Sequence, residues 1–235
     1  MDRLQDLKTN LDAIADRMTH ATVSAGRAQD SVQLLAVSKT KPASDIAGLH
    51  QLGLSQFGEN YVQEAVDKIE AMRHLPITWH YIGHIQSNKT QIIAQHFDWV
   101  HTLDRAKIAS RLNESRTGSP LNVLIQVNVD HAPTKSGVLP EDLDELVAHV
   151  IQCSQLRLRG LMSIPDPENA DALRRAHQDL KALFDGLRDS GRVASDFDTL
   201  SMGMTNDLEL AIANGSTMVR IGTALFGART PKDSA

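Results

Sequence analysis

The sequence predicts an α/β protein, a single (β/α)8 TIM barrel with an extra N-terminal helix. Three observations point there. Short apolar runs rich in Val, Ile and Leu alternate with amphipathic helical stretches, and that alternation implies a parallel sheet. The runs are nearly continuous rather than alternating with polar residues, as in strands covered on both faces. Eight such units fill the 235 residues, close to the roughly 250 usual for this barrel. A doubly wound open sheet is the competing architecture, and strand counting alone leaves it open. No Pro/Gly/Ser-rich linker divides residues 1–235, so they are read as one domain.

The elements follow in order. Residues 1–19 mix charged and apolar positions and read as an amphipathic helix added before the first strand. A signal peptide would need an unbroken apolar stretch. Strand runs are expected at 33–38, 54–58, 79–83, 97–102, 122–130, 157–162, 199–202 and 217–221. Helical patterns lie between them at 44–52, 61–74, 88–96, 105–116, 140–153, 170–190 and 206–214, and a short last helix runs from 222 to 225.

Composition narrows the function. Two Trp, two Tyr and five Phe predict a mainly aliphatic core. A single cysteine, Cys153, excludes an internal disulfide and a multi-cysteine zinc site. It suits a reducing compartment, so a cytoplasmic protein is expected. No apolar run approaches the roughly 20 residues of a membrane span. With 24 Lys and Arg against 29 Asp and Glu, the net charge is −5. No basic run with interleaved aromatics appears, so no nucleic-acid partner is expected.

In a parallel barrel, chemistry sits where strands end. Lys39 follows the apolar run LLAVS directly. A partly desolvated amine there favours its neutral, nucleophilic form, as Schiff-base chemistry requires. The plainer reading is a solvated strand-end lysine, with Lys41 the more solvated of the two. Ser201-Met202-Gly203 and Gly222-Thr223 close the last two strands, where such barrels often hold a phosphate. Two ordinary capped turns are the alternative. Asp207 and Glu209 follow closely and would repel a phosphate if they faced it. Arg220 sits within the last strand, pointing either into a polar site or outward to an acidic group. His80 and His84 are four residues apart but flank a strand end, so no metal site is expected.

Beyond these positions, the segments AVSKTKP (36–42), FGENYVQE (57–64), WHYIGHIQSNK (79–89), KSG (135–137), RGLMSI (159–164) and LSMGMTNDLELAIANGSTMVRIGTALFG (200–227) resemble the pyridoxal phosphate homeostasis proteins. The resemblance implies a fold type III barrel like the N-terminal domain of alanine racemase, binding pyridoxal 5′-phosphate (PLP) as a covalent aldimine to Lys39. It implies phosphate contacts at Ser201, Gly222 and Thr223, Arg220 near the pyridine nitrogen, and Asn60 and His84 lining the pocket. Thr205 stands where the family often has Ser, and both carry a hydroxyl.

The implied function is intracellular PLP (vitamin B6) homeostasis without established catalysis, in a monomer that can serve apo PLP-dependent enzymes. The alternative is a racemase-like enzyme, and a barrel aldolase would also use Lys39 and a phosphate site. An arginine opposite the ring nitrogen bears on the choice. It is always charged and has no acceptor, so it leaves that nitrogen unprotonated and weakens the electron sink. Racemization also needs a second acid/base, which racemases take from a further domain. The sequence offers Tyr61 and Tyr81 and only a short stretch after the eighth strand run.

Overall fold

The computed structural model describes residues 3–165 and 169–228. Eight parallel strands close into a barrel in strict chain order. They are β1 (Gln33–Val37), β2 (Gln56–Glu59), β3 (Thr78–Tyr81), β4 (Trp99–Leu103), β5 (Leu121–Gln126), β6 (Leu156–Met162), β7 (Thr199–Ser201) and β8 (Met218–Ile221). The ring closes where β8 pairs with β1, Leu34 opposite Val219 and Leu35 opposite Arg220. This closure excludes the open sheet. Between the strands run α2 (Ala43–Gln51), α3 (Val62–Ala71), α4 (Thr90–His96), α5 (Ala106–Ser115), α6 (Leu143–Val150), α7 (Ala170–Asp189) and α8 (Leu208–Ala213). Before the barrel comes α1 (Arg3–Ser24), and after β8 comes α9 (Thr223–Phe226).

The period of two along each strand separates two cores. Ala36, Val219 and Ile221 join the large apolar layer between strands and helices. Leu35 and Met218 point into the barrel, where they meet Ile82 and Val37. The same parity turns Arg220 inward, two residues beyond Met218. The outer core is mainly aliphatic, as composition suggests, and Phe57, Phe97, Phe184, Phe197 and Phe226 are all buried in it. The five phenylalanines are scarce, but each fills a large volume between strand and helix.

Several boundaries differ from the sequence reading, two of them for identifiable local reasons. The fifth strand stops at Gln126 and not at 130. The Asn128 side chain accepts from the Ala132 amide at 3.1 Å and donates to its carbonyl at 3.0 Å, winding the chain into a turn. The helix after β7 starts at Leu208 and not at 206, because Asp207 Oδ1 takes the Met204 amide at 2.7 Å and holds a turn before it. The sixth helix likewise ends at Val150, leaving Cys153 beyond it, buried and free.

The added helix α1 lies on the outside of the barrel. Leu7, Ile14 and Ala21 are its buried stripe, seven residues apart. Its polar side chains reach elements from both halves of the chain. Arg3 pairs with Asp45 at 2.5 Å and donates to the Phe226 carbonyl at 2.8 Å. Asn10 donates to the Leu225 carbonyl at 3.0 Å, and Arg17 pairs with Glu209 at 2.7 Å. The helix thus covers the seam between the first and last βα units.

Candidate functional site

At the C-terminal ends of the strands lies a cavity of about 380 Å³. Five of the residues expected at the site line it: Lys39 past β1, Asn60 past β2, Arg220 in β8, and Gly222 and Thr223 after it. Its walls are apolar, formed by Val37, Ile82, Ile164, Pro165 and Leu173. A small, mostly apolar cleft with a few convergent polar groups is the usual form of a small-molecule site.

Each polar group is positioned by its strand end. Lys39 is half-buried between Ser38, whose amide bonds to Gly58 O at 2.9 Å, and Thr40, which takes the left-handed conformation at φ 62°. Lys41 turns away and donates to the Ala228 carbonyl at 3.1 Å. Asn60 is held by close backbone packing, since a Cβ on Gly83 would lie 2.1 Å from the Asn60 carbonyl oxygen. Its side-chain Oδ1 is buried without a protein partner. Gly83→Ala is therefore expected to drive β3 and the Asn60 loop apart. Overpacking against backbone should cost about 1–3 kcal/mol or more, read as a fall in the urea midpoint of unfolding. An unchanged midpoint would show that the loop yields freely.

Arg220 is the floor of the cavity. It is 5% exposed, yet among the described residues it makes no salt bridge. Its Nη1 donates to Ser201 O at 2.7 Å and to Ser201 Oγ at 2.8 Å, and Nη2 donates to Ser163 O at 2.8 Å. Burial pulls its pKa down to about 10, opposed by the charge of Asp207, so it stays cationic at neutral pH. The two readings left open for Arg220 thus resolve inward.

The acidic neighbours that would repel an anion are occupied. Glu209 is turned to Arg17 of α1. Asp207 lines the cavity, but its carboxylate takes the Met204 amide at 2.7 Å and His177 Nε2 at 3.0 Å. Desolvation pushes its pKa up, but the His177 and Met204 hydrogen bonds and the His177 and Arg220 charges outweigh that and hold it below the usual value.

Two expected site residues lie apart from this lining. Ser201 is fully buried beneath Arg220, and its Oγ also bonds His101 Nδ1 at 3.2 Å. His84 is exposed, with Nδ1 3.4 Å from Ser136 Oγ. The sequence reading missed the groups behind the site. His101 Nε2 meets His80 Nδ1 at 2.9 Å inside the barrel. Behind Lys39, Glu59 and Lys68 form a buried ion pair at 2.8 Å. For the histidines a signal existed: His80 and His101 sit on strands at inward-facing parity. For Lys68, on α3, the sequence carries no such signal.

The class of protein is that of a closed (β/α)8 barrel with a small-molecule cavity framed by a lysine past its first strand and an inward arginine in its last. The family described as "Alanine racemase, N-terminal domain" matches residues 6–230. The chain is 50% identical over 232 residues to the pyridoxal phosphate homeostasis protein of Escherichia coli K12, covering 96% of this chain and 98% of that one. It belongs to the pyridoxal phosphate homeostasis protein family. PipY of Synechococcus elongatus, solved with PLP bound, matches with a TM-score of 0.78 at 35% identity, over 89% of this chain and 100% of that one. An alanine racemase of Clostridium difficile shares the fold, with a TM-score of 0.74 at 14% identity, over 97% of this chain and 58% of the racemase.

Proposed function

We propose that this protein binds PLP and buffers or delivers it in intracellular vitamin B6 homeostasis, holding the cofactor as a Schiff base on Lys39. The observation that carries this reading is the convergence of Lys39, Asn60, Arg220, Gly222 and Thr223 on one cavity. The residues fit the group. The orphaned Asn60 Oδ1 marks a polar position waiting for a partner. Of the five guanidinium N–H groups, three are engaged by Ser201 and Ser163. The Nε–H and one Nη2–H are left to face an acceptor such as a ring nitrogen.

Bound PLP supplies an aldehyde, which condenses with a neutral amine to form C=N and release water. Lys39 would supply that amine from a half-buried strand end. Thr223 and Gly222 stand ready for the phosphate as a hydroxyl donor and a surface without a side chain. With PLP bound, Arg220 would face the ring nitrogen as a donor and so leave it unprotonated, which would favour keeping the cofactor over activating substrates. Asp207 keeps its negative charge, but each of its carboxylate oxygens is engaged, by the Met204 amide and by His177, and not free to turn to the phosphate. Recipients would be apo forms of PLP-dependent enzymes in the same compartment.

The test is the visible spectrum of the protein with added PLP, before and after borohydride, with mass spectrometry to place the adduct. A new visible band, bleached by reduction, with one PLP on Lys39 is expected; a protein that stays colourless overturns the reading. For the racemase-like alternative, Tyr61 is 52% exposed and Tyr81 Oη donates to the His84 carbonyl at 3.0 Å, and neither lines the cavity. Rapid, Lys39-dependent deuterium exchange at an amino-acid α-carbon would establish catalysis instead.

A further inference from the structure

A buried ion cluster stands directly behind Lys39, outside the cavity. Lys68 Nζ, on α3, donates to Glu59 Oε1 at 2.8 Å, to Glu64 Oε1 at 2.5 Å and to the Ser38 carbonyl at 2.9 Å. An ammonium has three donors, so its geometry is fully used. The two carboxylates reach the same stretch of backbone. Glu59 Oε1 accepts from Ser38 Oγ at 2.6 Å, and Glu64 Oε1 accepts from the Thr40 amide at 2.7 Å. The side chains of Glu59 and Lys68 are 0% and 8% exposed.

We propose that Glu59, Lys68 and Glu64 are positioning residues that clamp the backbone on both sides of Lys39 and so fix the direction of its amine. This rests on the reading of Lys39 as the PLP-bearing residue. A buried ion pair is weak evidence for stability, because desolvation offsets much of the attraction. What it does supply is a fixed geometry, and among the described residues every side-chain hydrogen bond from the cluster to other residues ends on Ser38 or Thr40. Thr40 is β-branched and sits at φ 62°, a conformation it does not prefer. The Glu64 bond to its amide holds it there. Misplacing a reacting group by about 1 Å can cost a factor of 10², so the clamp acts where small displacements matter.

Glu64→Ala removes the acceptor for the Thr40 amide, and Glu64→Gln keeps one. Two readouts apply to the full-length protein. The first is hydrogen exchange at the Thr40 amide without PLP. The second is the rate at which added PLP becomes borohydride-trappable on Lys39. Glu64→Ala is expected to raise Thr40 exchange and slow trapping, each about tenfold, with Glu64→Gln within about threefold of wild type. A merely structural role would move the unfolding midpoint and leave both readouts in the folded protein unchanged, and that result overturns the clamp. Ser38→Ala, which frees one arm from Glu59 with little change in volume, is the second variant should Glu64→Ala not fold. Trapping at the wild-type rate in Ser38→Ala would equally overturn the inference. If the wild type takes up no PLP, the proposed function falls and the exchange arm alone decides the clamp: raised Thr40 exchange in Glu64→Ala supports it, unchanged exchange overturns it.

Discussion

Lys39→Ala is expected to abolish borohydride-stable attachment of PLP and to leave reversible binding at the same cavity. The remaining polar groups, Arg220, Asn60, Thr223 and Gly222, come from β8 and from two loops that Lys39 does not support. Affinity should fall on the order of a hundredfold, the ~3 kcal/mol of a dominant contact. Equilibrium dialysis reads that loss, and intact mass after reduction reads the missing adduct. The neighbouring Lys41 is a built-in control, since its ammonium is turned to the Ala228 carbonyl. An adduct on Lys41 in the wild type, or an undiminished adduct in Lys39→Ala, would sink the assignment.

Acid should unfold this protein early, and the cause lies below Arg220. The Ser201 hydroxyl accepts from Arg220 and shares a hydrogen bond with His101 Nδ1. His101 Nε2 and His80 Nδ1 share a single proton at 2.9 Å, so the two rings cannot both be cationic. Burial pushes His80 down to about 3, and burial with the charges of His80 and Arg220 pushes His101 well down.

In the unfolded chain both rings take up protons near pH 6.5; in the folded chain they do not. The stability they confer is complete above about pH 6.5 and is lost progressively as the pH falls below it. A ring that stays neutral in the folded chain contributes about 1.4 kcal/mol per pH unit. For His80, with a folded value of about 3, the fall from pH 6 to 4 is worth about 2.5 kcal/mol, and His101 adds to it in the same direction. Urea unfolding between pH 7.5 and 5 measures it. A wild type with flat stability across that range, or a His80→Gln/His101→Gln variant with the wild-type slope, would refute the role of these buried neutral rings.

The architecture was legible because its signal is local. Apolar runs separated by amphipathic stretches need no knowledge of distant contacts, and strand parity then says which side chains enter the barrel. Lys39 and Arg220 stood out for the same reason: charged residues at or inside apolar strands are conspicuous. The departures came from groups whose role depends on distant partners. Gly83 packs on the Asn60 backbone, and the following residue, His84, is exposed. Ser201 belongs beneath Arg220 because β7 and β8 are neighbours, a tertiary fact. The clamp joins residue 38 to residue 68, and in the sequence Lys68 is an ordinary lysine on a polar helix.

The helix laid across the barrel seam also orders events during synthesis. The bonds that tie α1 to the end of the barrel reach 188 to 223 residues along the chain, to the Thr205, Leu225 and Phe226 carbonyls and to Glu209. A ribosome makes α1 first and its partners last. Until α8 and α9 emerge, the apolar stripe of Leu7, Ile14 and Ala21 lacks the surfaces it will cover there. Contacts between such distant residues form slowly, and a nascent chain with an uncovered stripe is a natural client for chaperones. Ring closure and the docking of α1 thus become one late, cooperative step, completed only after β8 has been made.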